Sequence, residues 1–418
     1  MNAAAGAEIV TIGTELLHGL ARNTNAERIV ERLAEIGVET VFQTTVGDET
    51  ARLGEALRAA VHRARFVVTT GGLGPTPDDL TRKAIATVFR RRLVLDEVVL
   101  AQIRARFRER GREMPAMNEA QALIPRGARV IENPRGTAPG LHFEHQGVDV
   151  FVLPGVPAEA EAMMVSYVVP YIRSVHSIPL IARRVLRTVG LSESAVATEL
   201  SGIEAAEPDV RIAYLPHSYG LDLTLSALAP DPIRMSEALD RVERRVTEVV
   251  GESLYGRDRE TMSAVVGGLL AARGLTLATA ESFTAGGIGA EVAATPGASR
   301  YFLGGIVAYA NAAKEALLGV PTATLEAHGA VSAETAAAMA MGARARFGAD
   351  FALSSTGIAG PDGGTPEKPV GLVFLGLASA KGVETARHVL GGTRAEISIR
   401  STAYALDLLR RRVRDGGR

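Results

Sequence analysis

What restricts this chain most is a switch of hydrophobic period repeated along its first part. Glu8 to Ile12 is an apolar run of strand length. Thr24 to Ile36 sets Ile29, Leu33 and Ile36 at helical spacing, and Val38 to Thr45 returns to strand. Ala51 to His62 is helical again, and Phe66 to Thr70 reads as a buried strand. A βαβαβ order admits few folds, because parallel neighbours need crossover helices and those helices cover both faces of the sheet. Helices are expected next over Asp78–Phe89 and Asp96–Arg110, strands near Ala128–Ile131 and Val148–Leu153, and a closing helix from Pro157 to about Val175.

At 418 residues the chain exceeds one ordinary core. The rhythm changes twice, which divides it into 1–175, 176–255 and 256–418. The middle segment reads strand (Arg184–Val189), helix (Ser192–Ile203), two strands (Val210–Leu215, Leu221–Leu228) and helix (Pro232–Val250), a small α+β module in KH-like order. It has no GXXG loop, so a linking or dimerisation role is expected and nucleic-acid binding is unlikely. The last segment is another α/β layer, beginning with helix Met262–Arg273 and strand Leu275–Ala280, then a helix from Thr284.

No apolar run approaches the roughly 18 residues that span a bilayer. Met1 to Gly6 lacks the basic flank and apolar core of a secretory signal, so a cytoplasmic enzyme is expected. The absence of Cys removes thiolate nucleophiles and Cys-ligated zinc. A net charge of −1 gives no general attraction to nucleic acid. Of 46 basic residues only Lys83, Lys314, Lys368 and Lys381 are lysines. Arg cannot give up its proton and a desolvated Lys can, so surviving lysines mark candidate chemistry. Lys381, beside Gly382, reads as a solvated turn residue.

Three loops of the last segment leave the C-terminal ends of expected strands, where open α/β sheets place ligands. They are Glu281 to Gly286, Tyr309 to Lys314 and Thr356 to Pro361. Taken singly, Ser282 is a helix cap and Lys314 a surface residue. Taken together they make a nucleophile and a base, since a desolvated Lys can approach a neutral pKa. His328 and His388 lie outside these loops, and Tyr309 stands at a strand end where it could relay or orient the proton. Helix-start N–H groups after Ser282 are expected to be free as oxyanion donors.

The segments AESFTAG, YANAAK, GAVS (Gly329–Ser332), STGIAGPDG and KPVG (Lys368–Gly371) resemble the C-terminal domain of the CinA family. The resemblance implies hydrolysis of the carboxamide of nicotinamide mononucleotide, with no cofactor. It makes Ser282 the nucleophile and gives Lys314 and Tyr309 its activation, with Thr356 also catalytic. It puts Glu281, Thr284, Asn311 and Gly357 at the substrate and Arg394 on its phosphate. This chain departs from the family pattern at Phe283 (usually Cys or Leu), which is expected to narrow the pocket, at Ala285 (commonly Gly), and at Ser398, where a second Arg is common.

In the first segment, Thr70 to Thr81 is a Gly-rich loop between a strand and a helix, suited to phosphate. With Gly13–Leu17, Asn23–Asn25, Val46–Asp48, Asn133–Gly140 and Leu153–Pro157 it again resembles CinA, whose N-terminal domain is a MogA/MoeA-like three-layer α/β fold of molybdopterin-binding proteins. The resemblance implies divalent-metal-dependent (Mg²⁺ or similar) hydrolysis of ADP-ribose. Candidate metal or water-activating residues are Asp48, Asp78 and Asp79, with Glu15 behind them; Gly72, Gly74, Thr76 and Lys83 are the phosphate candidates. Family members tend to be homodimers. Two further readings stay open at this point: a molybdopterin- or nucleotide-binding scaffold, and an accessory protein in competence or DNA repair.

Overall fold

A computed structural model of the chain describes residues 6–175, 181–228 and 231–416. The chain divides into two compact units, Met1–Ile181 and Ala182–Arg418. The expected boundary after Val175 adjoins residues outside those described, as do Met1 to Ala5 of the segment read for a leader.

The first unit is built on β1 (Ala7–Ile12), β2 (Thr40–Val46) and β3 (Phe66–Thr70), with β1 parallel to both others. A two-stranded antiparallel ribbon, β4 (Leu93–Leu95) and β5 (Leu123–Pro125), stands apart. β6 (Arg129–Ile131), β7 (Gly140–His145) and β8 (Val148–Leu153) complete a six-stranded sheet in the order β2-β1-β3-β8-β7-β6. β8 is parallel to β3, but β7 runs antiparallel to both β8 and β6, so the sheet is mixed where the alternation of periods predicts a parallel one. Every residue of β1 and β8 is buried, as strands covered on both faces require. Ile29 and Leu33 of helix Thr24–Ala34 pack with Phe151 and Met163 on one face. Leu53 and Leu57 of helix Thr50–Arg63 pack with Ile85, Ile103 and Val67 on the other, giving three layers. The closing helix is interrupted by a π turn at Met164–Val168.

In the second unit β9 (Ile181–Thr188), β10 (Val210–His217), β11 (Gly220–Leu228) and β12 (Leu254–Arg257) form a sheet ordered β10-β11-β9-β12. Helices Glu193–Ala206 and Pro232–Val250 cover it through Leu200, Leu239 and Val246. β12 has no expected counterpart, because its four residues are too few to show a period. β13 (Leu277–Glu281), β14 (Phe302–Val307), β15 (Phe351–Gly357), β16 (Leu372–Ser379) and β17 (Gly382–Val389) form a second sheet ordered β14-β13-β15-β16-β17. β13 is parallel to β14 and β15, so all three deliver their following loops to one edge. Helices Met262–Arg273 and Arg394–Arg414 cover one face and Ala333–Phe347 the other. Arg410, 1% exposed, pairs with Asp407 and donates to the carbonyls of Glu252 and Leu254, fastening the small sheet to the long final helix. No helix among the described residues is long and apolar enough to cross a membrane.

Candidate active site

β13 ends in Glu281, and the Ser282 N–H donates to the Ser355 carbonyl of neighbouring β15 at 3.0 Å. The chain then turns sharply, with Ala285 at φ 53° and Gly286 at φ 98°. The helix therefore starts at Gly287, not at Thr284 as its apolar period predicts. An alanine in the left-handed region carries a Cβ penalty that glycine lacks. Ala285→Gly is expected to raise unfolding free energy by about 1 kcal/mol in a denaturant titration.

Glu281 does not face a substrate. Its buried carboxylate accepts from Thr284 Oγ1 (2.7 Å) and from the N–H groups of Gly286 (3.1 Å), Ile288 (3.0 Å) and Gly289 (2.8 Å). A carboxylate at the start of a helix suits both the unpaired donors and the dipole. The same bonds remove the helix-start amides that sequence reading expects to be free. Thr284 is likewise structural, its hydroxyl lying between Glu281 and Ser355 Oγ at 2.6 Å. Among the described residues the N–H groups of Phe283 and Thr284 have no partner, and they become the oxyanion candidates of this turn. Glu281→Ala strands three buried or half-buried amides and should cost about 3 kcal/mol or more of stability, seen as a lowered urea midpoint.

Lys314, on helix Asn311–Leu318, is 1% exposed, and its Nζ lies 3.2 Å from Ser282 Oγ. It also donates to the carbonyls of Ala308 (3.1 Å) and Tyr309 (2.9 Å). Burial pushes its pKa below the ordinary lysine value. A neutral amine has two N–H bonds for those two carbonyls, which leaves its lone pair to receive the Ser282 proton. Ser282 is 8% exposed, as a nucleophile screened from bulk water should be.

Tyr309 sits differently from its expected role. Its side chain is 59% exposed, and its hydroxyl accepts from Arg394 Nη2 at 2.7 Å, while its backbone carbonyl holds Lys314. Arg394 Nη1 donates to the Gly360 carbonyl at 2.9 Å, so the guanidinium ties the loops after β14 and β15 to the last helix. The Thr356 hydroxyl donates to the Ala330 carbonyl at 2.6 Å and is a brace of the loop. A Cβ on Gly357 would lie 2.8 Å from the Leu372 carbonyl and 3.1 Å from the Phe283 ring. Phe283 belongs to the core beneath the turn. Asn311 is exposed, with no side-chain partner among the described residues. His388, its pKa lowered by burial, rests against Tyr404, and His328 is beside Glu334. Lys368 pins the loop at Gly329 by donating to the carbonyls of His328 and Val331.

In the first unit a cavity of 210 Å³ opens at the C-terminal ends of β1 and β3, lined by Thr11, Glu15, Asn23, Asn25, Thr70 and Gly155 among others. Of the sequence-derived candidates for this unit only Glu15 lines it. Asp48 accepts from Thr14 N and Oγ1, both at 2.9 Å. Asp79 accepts from Gly74 N, Thr76 N and Thr76 Oγ1, which also explains why the next helix begins at Thr81 and not Asp78. Asp78 and Lys83 are exposed. Among the described residues no three carboxylates or histidines gather as a metal cluster, and Asp48 and Asp79 already accept from Thr14, Gly74 and Thr76. Gly72 (φ 64°) and Gly74 are small for packing reasons: a Cβ would meet Thr81 Oγ1 at 2.2 Å and Asp79 Oδ2 at 2.3 Å respectively. Sequence reading misses Arg82, 6% exposed, which donates to the carbonyls of Leu73 and Gly74 and supports the loop from beneath.

A putative competence-damage inducible protein of Caldicellulosiruptor bescii is 41% identical over 409 residues, covering 98% of this chain and 99% of its own. The chain belongs to the CinA family. A CinA-like protein of Gemmatimonas aurantiaca is 42% identical over 408 residues, covering 97% of this chain and 95% of its own. The CinA C-terminal domain matches residues 259–413, the damage-inducible protein CinA KH domain 183–256, and a probable molybdopterin binding domain 8–174. Among solved structures, a competence/damage inducible protein from Agrobacterium tumefaciens is 41% identical, covering 35% of this chain and 91% of its own with a TM-score of 0.35. This CinA protein therefore joins a molybdopterin-binding-like domain, a KH-like module and a CinA domain.

Proposed function

We propose that the CinA domain hydrolyses the carboxamide of nicotinamide mononucleotide to nicotinate mononucleotide and ammonia. The observation that carries this reading is the buried pair of Lys314 Nζ and Ser282 Oγ, 3.2 Å apart. Ser282 Oγ attacks the amide carbon as its proton passes to neutral Lys314. The oxyanion turns to the free amides of Phe283 and Thr284. As the C–N bond breaks, Lys314 returns the proton to the leaving nitrogen and ammonia departs. Water, deprotonated by Lys314, then cleaves the ester and restores Ser282. Arg394 offers guanidinium N–H groups to the phosphate, with Tyr309 orienting it. The same reading assigns Asn311 and Gly357 to contact with the substrate. The purified chain should release ammonia from nicotinamide mononucleotide in the presence of a chelator; no release under any condition would remove the proposal.

For the molybdopterin-binding-like domain, the crevice beside Glu15 supports binding of a nucleotide, with ADP-ribose as the ligand we propose. Its hydrolysis to AMP and ribose 5-phosphate is tested with Mg²⁺ supplied in solution. Binding without turnover would favour the scaffold reading. The proposed assembly is a cytoplasmic homodimer, checked by the mass from light scattering.

A further inference from the structure

A second cavity of the first unit, 370 Å³ in volume, lies between helix Glu97–Glu109 and the Asn133–Pro139 loop. Its size falls within the roughly 300–1,000 Å³ of small-ligand sites. Arg106, Arg110 and Arg135 line it together with Glu109 and Glu132. Two of the arginines spend a single N–H each on the loop backbone: Arg106 Nη1 on the Gly136 carbonyl and Arg110 Nη2 on the Arg135 carbonyl. Arg135 has no side-chain partner among the described residues, and none of the three pairs with a carboxylate there. The three guanidinium groups keep N–H donors free in one lining, and a phosphate oxyanion accepts such forked donors.

The loop that carries Arg135 is rigidly specified. Asn133, 5% exposed, accepts from Arg135 N (3.0 Å) and Gly136 N (2.8 Å) and donates to the Ala138 carbonyl (2.8 Å) and Glu159 Oε2 (2.7 Å). A Cβ on Gly136 would lie 2.1 Å from Glu159 Oε1, so this contact also requires glycine. The loop is thus held against the helix that begins at Pro157, whose first residue lines the 210 Å³ crevice. Both cavities open at the same end of the sheet.

We propose that the 370 Å³ cavity is a binding site for a sugar phosphate. The three arginines take the phosphate, and Glu109 and Glu132 accept from sugar hydroxyls, which accounts for both signs of charge in one lining. The site is read from its own lining and stands whether or not the neighbouring crevice hydrolyses a nucleotide.

The test is calorimetric titration of the full chain at low salt with ribose 5-phosphate, ribose and inorganic phosphate. Ribose 5-phosphate should bind at least roughly tenfold more tightly than phosphate, and ribose should not bind. Arg110→Ala combined with Arg135→Ala should weaken ribose 5-phosphate at least roughly tenfold, with unchanged melting temperature and unchanged ammonia release. Equal affinity for phosphate and ribose 5-phosphate would overturn the sugar assignment. Undiminished binding by the double variant would overturn the site.

Discussion

Ser282→Ala should lower ammonia release from nicotinamide mononucleotide by roughly 10³-fold or more, with little change in melting temperature. The chemical part follows because, among the described residues, no other nucleophile is placed against Lys314. The structural part follows from what the hydroxyl holds. Its one hydrogen bond is to Lys314, which keeps the Ala308 and Tyr309 carbonyls, and the Ser282 amide bond to Ser355 survives the substitution. Binding of ADP-ribose to the first unit should be unaffected. Residual release within tenfold of the wild type would mean that water attacks directly and that Ser282 is only a turn residue.

Lys314→Met should be equally damaging to activity, and it should also change how stability responds to pH. Burial lowers the folded-state pKa, whereas the unfolded chain holds its proton up to about 10.4. Between those two values the unfolded state binds more protons, so stability rises with pH across that window. Below the folded pKa both states are protonated and this contribution is flat. Ammonia release should rise through the same lower pKa, as the amine becomes able to accept the Ser282 proton. In Lys314→Met both the rise in stability and the acidic limb should disappear, measured by urea midpoints and initial rates over the same pH series. Lys314→Arg should be inactive at every pH, since a guanidinium keeps its proton.

The order of layers and the place of Ser282 in a turn between a strand and a helix were legible because they rest on local signals. Phe66–Thr70 and Met262–Arg273 occur where their periods place them. The pairing of Ser282 with Lys314 was legible because motif loops follow parallel strands to a common edge. Contacts made across the chain were not. Nothing in the periodicity of Gly140–His145 shows that it returns antiparallel beside β8. Nothing local shows that Glu281 reaches forward to Gly289, that the Tyr309 hydroxyl turns to Arg394, that Asp48 holds Thr14 of a distant loop, or that Asp79 serves its own loop. A carboxylate in a motif is read as a ligand for substrate or metal until its backbone donors are counted. Arg82 was hidden for a related reason, being one arginine among many until burial singles it out.

Trapping with hydroxylamine addresses the covalent step itself. If an ester forms at Ser282, wild-type protein incubated with nicotinamide mononucleotide and hydroxylamine yields the nucleotide hydroxamate alongside the acid, in a ratio that follows hydroxylamine concentration. Ser282→Ala yields neither. Ammonia released with nicotinate mononucleotide as the sole acyl product at every hydroxylamine concentration would contradict the Ser282–Lys314 account.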